Sequence, residues 1–128
     1  MFRMMLKAKI HRAKVTGADL EYEGSITVDS RLLDTADILP HEKVHVLNVQ
    51  NGARIETYAL PAPAGSGEII INGAAAHHFT VGDLAIIISY AAYEESEISG
   101  YGPKIVQVDE NNEATVVRDG PSLVERPL

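Results

Sequence analysis

A chain of 128 residues makes one domain, long enough to bury a core without disulfides or metal staples. The absence of cysteine excludes disulfides, thiolate catalysis and a cysteine-based zinc site, and fits a reducing cytoplasm. A formal net charge of −7 argues against a general nucleic-acid surface, and only Lys7, Lys9, Arg12 and Lys14 form a local basic stretch.

In chain order, Leu6, Ala8 and Ile10 alternate with Lys7, Lys9 and His11, which predicts a half-buried strand with Lys7 and Lys14 on its solvated side. Met4-Met5-Leu6 is too short for the apolar part of a secretory signal, and nothing approaches a membrane span, so a soluble, cytoplasmic protein is expected. Gly17-Ala18-Asp19 predicts a turn and Ser25 to Val28 the next strand. Asp29 or Ser30 can cap a short helix over Arg31 to Ala36 that turns Leu32, Leu33 and Ala36 inward. Val44, Val46 and Asn48 alternate with His45, Leu47 and Val49, and Asn51-Gly52 joins this strand to Arg54–Ala59 as a hairpin. Pro61 to Gly67 is a loop, Ile69 to Ile71 a buried strand, and Gly73 to His78 at most one helical turn. Leu84 to Ala91 is an apolar, central strand, followed by a short helix over Glu94–Ser99 and a strand over Lys104–Val108. After Asp109 the chain turns polar, and residues from about 117 to 128 are expected to be a poorly ordered tail. Many short strands with turn signals between them predict an all-β, closed barrel with short helices in a single domain, 1–128.

The most informative pair is Gly24-Ser25. A serine hydroxyl can attack the carbonyl before it and turn a peptide bond into an ester. A glycine at that carbonyl tolerates the unusual backbone angles of a strained turn. Elimination across the serine then leaves a dehydroalanine, which hydrolyses to a pyruvoyl ketone on a new chain end. Gly-Ser is a common turn dipeptide, but a strand starting at Ser25 can clamp this one. Gly65-Ser66 lies instead in a Pro/Ala/Gly loop expected to be too mobile to hold a strained peptide.

The segment from Lys9 through Tyr22-Glu23-Gly24-Ser25 resembles the pyruvoyl-dependent aspartate 1-decarboxylases. Three later blocks agree in order and spacing: Asn51-Gly52-Ala53-Arg54 with Thr57-Tyr58, Asn72-Gly73-Ala74-Ala75-Ala76-His77, and Gly82-Asp83-Leu84 leading into Ile86-Ile87-Ile88. The resemblance runs over roughly residues 3 to 109. It implies a double-psi β-barrel and self-cleavage between Gly24 and Ser25 into chains 1–24 and 25–128. It further implies decarboxylation of L-aspartate to β-alanine through a Schiff base with the pyruvoyl group made from Ser25, for pantothenate synthesis. Pyridoxal phosphate is not expected.

The same resemblance gives Thr57 the task of polarising the Gly24 carbonyl, where its ordinary role would be a strand-forming residue. It makes Tyr58 the proton donor, and a phenol with pKa about 10 keeps its proton at neutral pH. Arg54 would hold a substrate carboxylate by a two-pronged pair, with Lys9 as a second cation near the substrate. Asn72 would hydrogen-bond the site or cap the following turn. The small residues Gly73, Ala74 and Ala75 would let a ligand reach backbone amides, the alternative being tight packing. His41 and His45, and the adjacent His77-His78, come with no cysteine and no His-Glu-x-x-His pattern, so no metal site is expected. The roles of His11, His77 and His78 stay open, as does any accessory maturation protein.

Strand geometry raises a difficulty. Thr57 and Tyr58 point to opposite faces, and Arg54 lies about 13 Å from Tyr58 along one face. Convergence on one pyruvoyl requires a bend, a bulge or neighbouring subunits, and the resemblance implies the last, a homotetramer with sites between protomers. Two rival readings stand beside it, namely pyruvoyl decarboxylation of another acid such as glutamate, and a non-catalytic barrel serving as a binding module.

Overall fold

Side chains that alternate between apolar and polar favour strands, because successive residues of an extended chain face opposite ways. The computed structural model describes residues 1–118. Its strands are β1 (Phe2–Lys14), β2 (Gly17–Asp19), β3 (Ser25–Asp29), β4 (Lys43–Asn48), β5 (Arg54–Ala62), β6 (Ile69–Asn72), β7 (Leu84–Glu94), β8 (Lys104–Val108) and β9 (Ala114–Arg118). Helix α1 (Ser30–Ala36) follows β3, a 3₁₀ turn (Gly73–His78) follows β6, and the single-turn α2 (Glu95–Ile98) follows β7.

The strands lie in the order β2-β6-β3-β5-β4-β7-β1-β8-β9. The sheet closes because β1 and β2 are one run interrupted only at Val15 and Thr16. β1 pairs antiparallel with β7 and parallel with β8, whereas β2 pairs parallel with β6 at the opposite end of the order. At the interruption the Val15 amide donates to Asp83 O and the Thr16 amide to Ile69 O, each at 2.8 Å. The Thr16 hydroxyl also accepts from the Ile69 amide at 2.9 Å. A barrel closed this way encloses Ile10, Ile26, Val28, Val46, Ile71 and Ile87, all fully buried. Each such side chain contributes about 1.5–3 kcal/mol of transfer free energy. The architecture is the all-β, double-psi β-barrel expected from the resemblance.

Several elements differ from the sequence reading. Gly17–Asp19 is a short strand rather than a turn; at Gly17 a Cβ would stand 3.3 Å from the Ile70 side chain, so the two backbones approach closely. β1 is longer than the alternation suggested, with register shifts between Leu6 and Ala8 and between Ile10 and Ala13. The second shift contains Arg12 at φ +65°. Asn51-Gly52 sits inside a longer connection, where the Asn48 amide donates to Ala53 O and the Gly52 amide to Asn48 O. Lys7 is not a solvated strand residue: its ammonium meets both carboxylate oxygens of Glu42 at 2.9 and 3.0 Å. β9 went unpredicted because its residues are largely exposed and polar in pattern. Val117 and Arg118, assigned to the expected tail, belong to this strand, and residues 119–128 lie outside the described residues.

Helix α1 covers the barrel through Leu32, Leu33 and Ala36, as read. Its N-cap is the buried Asp29, whose carboxylate accepts from the amides of Arg31 (2.9 Å), Gly65 (3.0 Å) and Gly67 (2.9 Å). The loop carrying Gly65-Ser66 is therefore tied to the barrel rather than loose, and a positive φ of +80° at Gly65 and +70° at Gly67 accommodates the tie. Burial pushes the Asp29 pKa up, but the amides of Gly67, Arg31 and Gly65 and the Arg31 charge outweigh it and hold the carboxyl below its usual value. A depressed folded-state pKa stabilises the fold above the unfolded value and loses that contribution as pH falls through the folded one. Asp29→Ala is expected to cost about 2 kcal/mol at pH 7. The gap from the parent, measured by urea denaturation, should narrow as pH is lowered through the carboxylate range.

Candidate functional site

Ser25 is the first residue of β3 and is fully buried, while Gly24 before it is exposed. Ile26 and Val28 point into the core, so Ser25 and Thr27 lie on the opposite face of β3. β6 pairs antiparallel with β3 and sets Asn72 directly opposite Ser25. The Asn72 side-chain amide donates to Ser25 Oγ and to Thr27 Oγ1, both at 2.9 Å. The Ser25 hydroxyl in turn donates to Glu23 O at 3.4 Å, a long contact that curls the segment before β3 back on itself. Asn72 thus acts on the serine; its side chain makes no cap to the following turn.

Gly73 explains the small-residue run. It is buried with φ +74°, and a Cβ there would lie 2.8 Å from Gly24 Cα, 2.9 Å from Gly24 N and 3.1 Å from Tyr22 O. The missing side chain leaves room for the chain's own Gly24 backbone. Ala74 follows as an exposed residue, and Ala75 packs against the core.

On the other side of β3 runs β5, parallel to it, with Ile26 level with Ala59. Continuing that register back by one residue sets Tyr58 level with Ser25, the first residue of β3, with Thr57 just before it on β5. Tyr58 shares the outer face with Ser25, and Thr57 turns to the inner one, as strand geometry requires. Four of the predicted positions, Gly24, Ser25, Asn72 and Gly73, are therefore in direct contact, flanked by Thr57 and Tyr58.

Arg54 and Lys9 are not brought to this place within one chain. Arg54 begins β5, and its Nη2 reaches across β4 to His45 Nδ1 (3.0 Å) and on to Tyr90 Oη of β7 (3.2 Å), away from β3. Lys9 pairs with Ile88 of β7 and Ile105 of β8, with β5, β4 and β7 between its strand and β3.

Sequence reasoning missed the surroundings of Tyr58. His41, at φ +72°, stacks on the Tyr58 ring at a centroid distance of 6.1 Å and an interplanar angle of 21°. The His41 amide donates to Ala59 O (2.7 Å) and the Ala59 amide to Glu42 O (3.0 Å), so this turn is stitched to the residue after Tyr58. The Glu42 carboxylate accepts from the Ser89 hydroxyl, the Leu39 amide and Lys7. Burial raises its pKa, but these donors together lower it below the ordinary carboxylate value. Pro-His-Glu-Lys carries no pattern that would single out these contacts. His11 is half-buried, and burial followed by the charges of Lys9, Arg12 and Arg118 lowers its pKa. Among the described residues no three His, Cys, Asp or Glu side chains cluster as metal ligands would.

A sequence model of the family described as aspartate decarboxylase matches residues 1–115. The aspartate 1-decarboxylase of Thermoanaerobacter pseudethanolicus is 59% identical over 112 residues, covering 88% of this chain and 96% of that protein. That of Moorella thermoacetica is 53% identical over 120 residues, covering 94% of each. The Listeria monocytogenes protein of the same name is 53% identical over 117 residues, covering 91% of this chain and 92% of its own.

Gly73→Ala should displace the Gly24 backbone, since neither the positive φ nor the contact distance admits a methyl group. A loss of about 1–3 kcal/mol in thermal stability is expected, far more than for the exposed Ala74→Ser as control.

Proposed function

The chain belongs to the aspartate decarboxylase family, and from that premise we propose that it removes the α-carboxylate of L-aspartate, giving β-alanine and carbon dioxide for pantothenate synthesis. The proposal extends to a precursor that cuts itself between Gly24 and Ser25 and to a pyruvoyl group made from Ser25. The observation that carries this extension is a buried serine whose Oγ accepts from Asn72 while Gly73 presses on the glycine before it.

In the cleavage, Ser25 Oγ bonds to the Gly24 carbonyl carbon and the peptide C–N bond breaks, giving an ester and a free amine. Elimination releases Gly24 as a carboxylate and leaves dehydroalanine. Water then converts the enamine to a ketone with loss of ammonia. The donor from Asn72 favours the developing alkoxide over the neutral hydroxyl and fixes its rotamer. Thr57, next to Tyr58 on β5, is the group proposed to steady the oxyanion.

The residues present fit the finished group: residue 25 is enclosed, and Asn72 can donate to a ketone oxygen as it does to Oγ. A pyruvoyl group there supplies an electron sink for the charge left when carbon dioxide departs. Tyr58, level with residue 25 and on its face, delivers the proton that replaces the carboxylate, and His41 holds its ring. Arg54 binds a substrate carboxylate, and Lys9 adds a second positive charge. Because both stand away from Ser25 of their own chain, a homotetramer with shared sites is the assembly proposed. Exposed Met1, Phe2 and Met4 near the β1 end offer apolar surface for such contacts. The cysteine-free composition agrees with a cytoplasmic location.

Ser25→Ala is expected to remain one intact chain without activity, seen by intact-mass spectrometry; fragments of 1–24 and 25–128 from that variant would refute the maturation route. Tyr58→Phe should still cleave but release carbon dioxide from aspartate about 10²-fold or more slowly. Parallel assays with glutamate test the substrate, and four chains per particle by light scattering test the assembly.

A further inference from the structure

Arg54 is held by a set of side chains on the outer face of β4, β5 and β7 that nothing in the Gly24–Ser25 chemistry requires. An arginine guanidinium has donors only. The 3.0 Å contact between Arg54 Nη2 and His45 Nδ1 is therefore a hydrogen bond only if that ring nitrogen is bare. The ring proton then sits on Nε2, which faces Glu56 Oε1 at 3.2 Å and can donate to it. Glu56 stands directly across from His45 in the β4–β5 register, so the tautomer is built into the pairing of the two strands. Tyr90 packs against the same imidazole, with ring centroids 5.3 Å apart at 70°, and its Oη accepts from the same Nη2 at 3.2 Å.

We propose that His45 is a positioning residue for substrate binding: as neutral imidazole, with its proton turned towards Glu56, it accepts from Arg54 and sets the guanidinium for a substrate carboxylate. The inference rests on the reading that Arg54 binds that carboxylate. The charged and titratable groups around His45 are Lys43 on its own strand, Arg54 and Glu56 on β5, and Tyr90 on β7, with Met4 of β1 closing the adjoining cleft of about 320 Å³. A second proton on His45 would occupy Nδ1 and set a cation and a donor against the Arg54 donor, which breaks the hold.

The test is steady-state kinetics on fully cleaved enzyme. His45→Leu should raise KM for aspartate about tenfold with kcat little changed, because the lost interaction acts on binding. His45→Asn places an amide oxygen near the former Nδ1 and should return KM to within about twofold of the parent. Equal KM for the Leu and parent enzymes, or equal KM for the Leu and Asn variants, would overturn the proposal. Arg54→Ala separates the two readings. Unchanged KM there removes Arg54 from substrate binding, whereas a raised KM there with a normal His45→Leu sinks the His45 proposal alone. Should His45→Leu fail to fold, nitrogen NMR of the parent protein reads the ring directly, and a proton found on Nδ1 at neutral pH is equally fatal.

Discussion

The candidate site depends on one constraint, that β3 lies between a parallel neighbour, β5, and an antiparallel one, β6. From the antiparallel side come Asn72, opposite Ser25, and Gly73, at the contact with Gly24. From the parallel side comes Tyr58, level with Ser25, with Thr57 beside it on β5. Neither neighbour is adjacent to β3 in sequence, and the arrangement exists because β1 and β2 close the sheet from both ends. A barrel that failed to close would leave β6, which carries Asn72, as an open edge beside β3.

Buried polar side chains hold the connections that this closure creates. Asp29 gathers the amides of α1 and of the 65–67 loop. Asn112, also buried, accepts from the Lys14 amide and donates to Lys14 O and Gly67 O, tying the β8–β9 turn to β1 and to that same loop. Asn48 donates to His78 O and to Asp83, fixing the chain between the 3₁₀ turn and β7. Each satisfies backbone groups that would otherwise be buried at a cost of about 1–3 kcal/mol.

The molecule divides its chemistry by location. The parts proposed for cleavage are assembled within one chain and lie within two strands of each other. Two cations proposed for substrate, Arg54 and Lys9, stand elsewhere on the barrel, and Arg54 is held there by His45 and Tyr90. The proposed maturation would rely on contacts within one chain, whereas the proposed substrate handling would draw on surface that a neighbouring protomer completes. The His45, Glu56 and Tyr90 set belongs to the second half, where hydrogen-bond direction rather than burial decides the geometry.

The alternation of Leu6, Ala8 and Ile10, the cap at Asp29 and the apolar run through Ile86-Ile87-Ile88 were sufficient to locate most strands and α1, since both periods and caps are local properties. The blocks around Gly24-Ser25, Arg54, Thr57-Tyr58 and Asn72 were likewise legible as motifs. The Gly17–Asp19 strand, the Lys7–Glu42 pair and the His41 stack on Tyr58 were not, because each is a contact between residues far apart in the chain. Nor could a motif say whether Gly73 makes room for a ligand or for Gly24. The sequence alone determined which residue types occur and how each short segment prefers to lie. Only the closed sheet decided register between distant strands, and a shift of one residue there would turn Ser25 and Tyr58 to different faces.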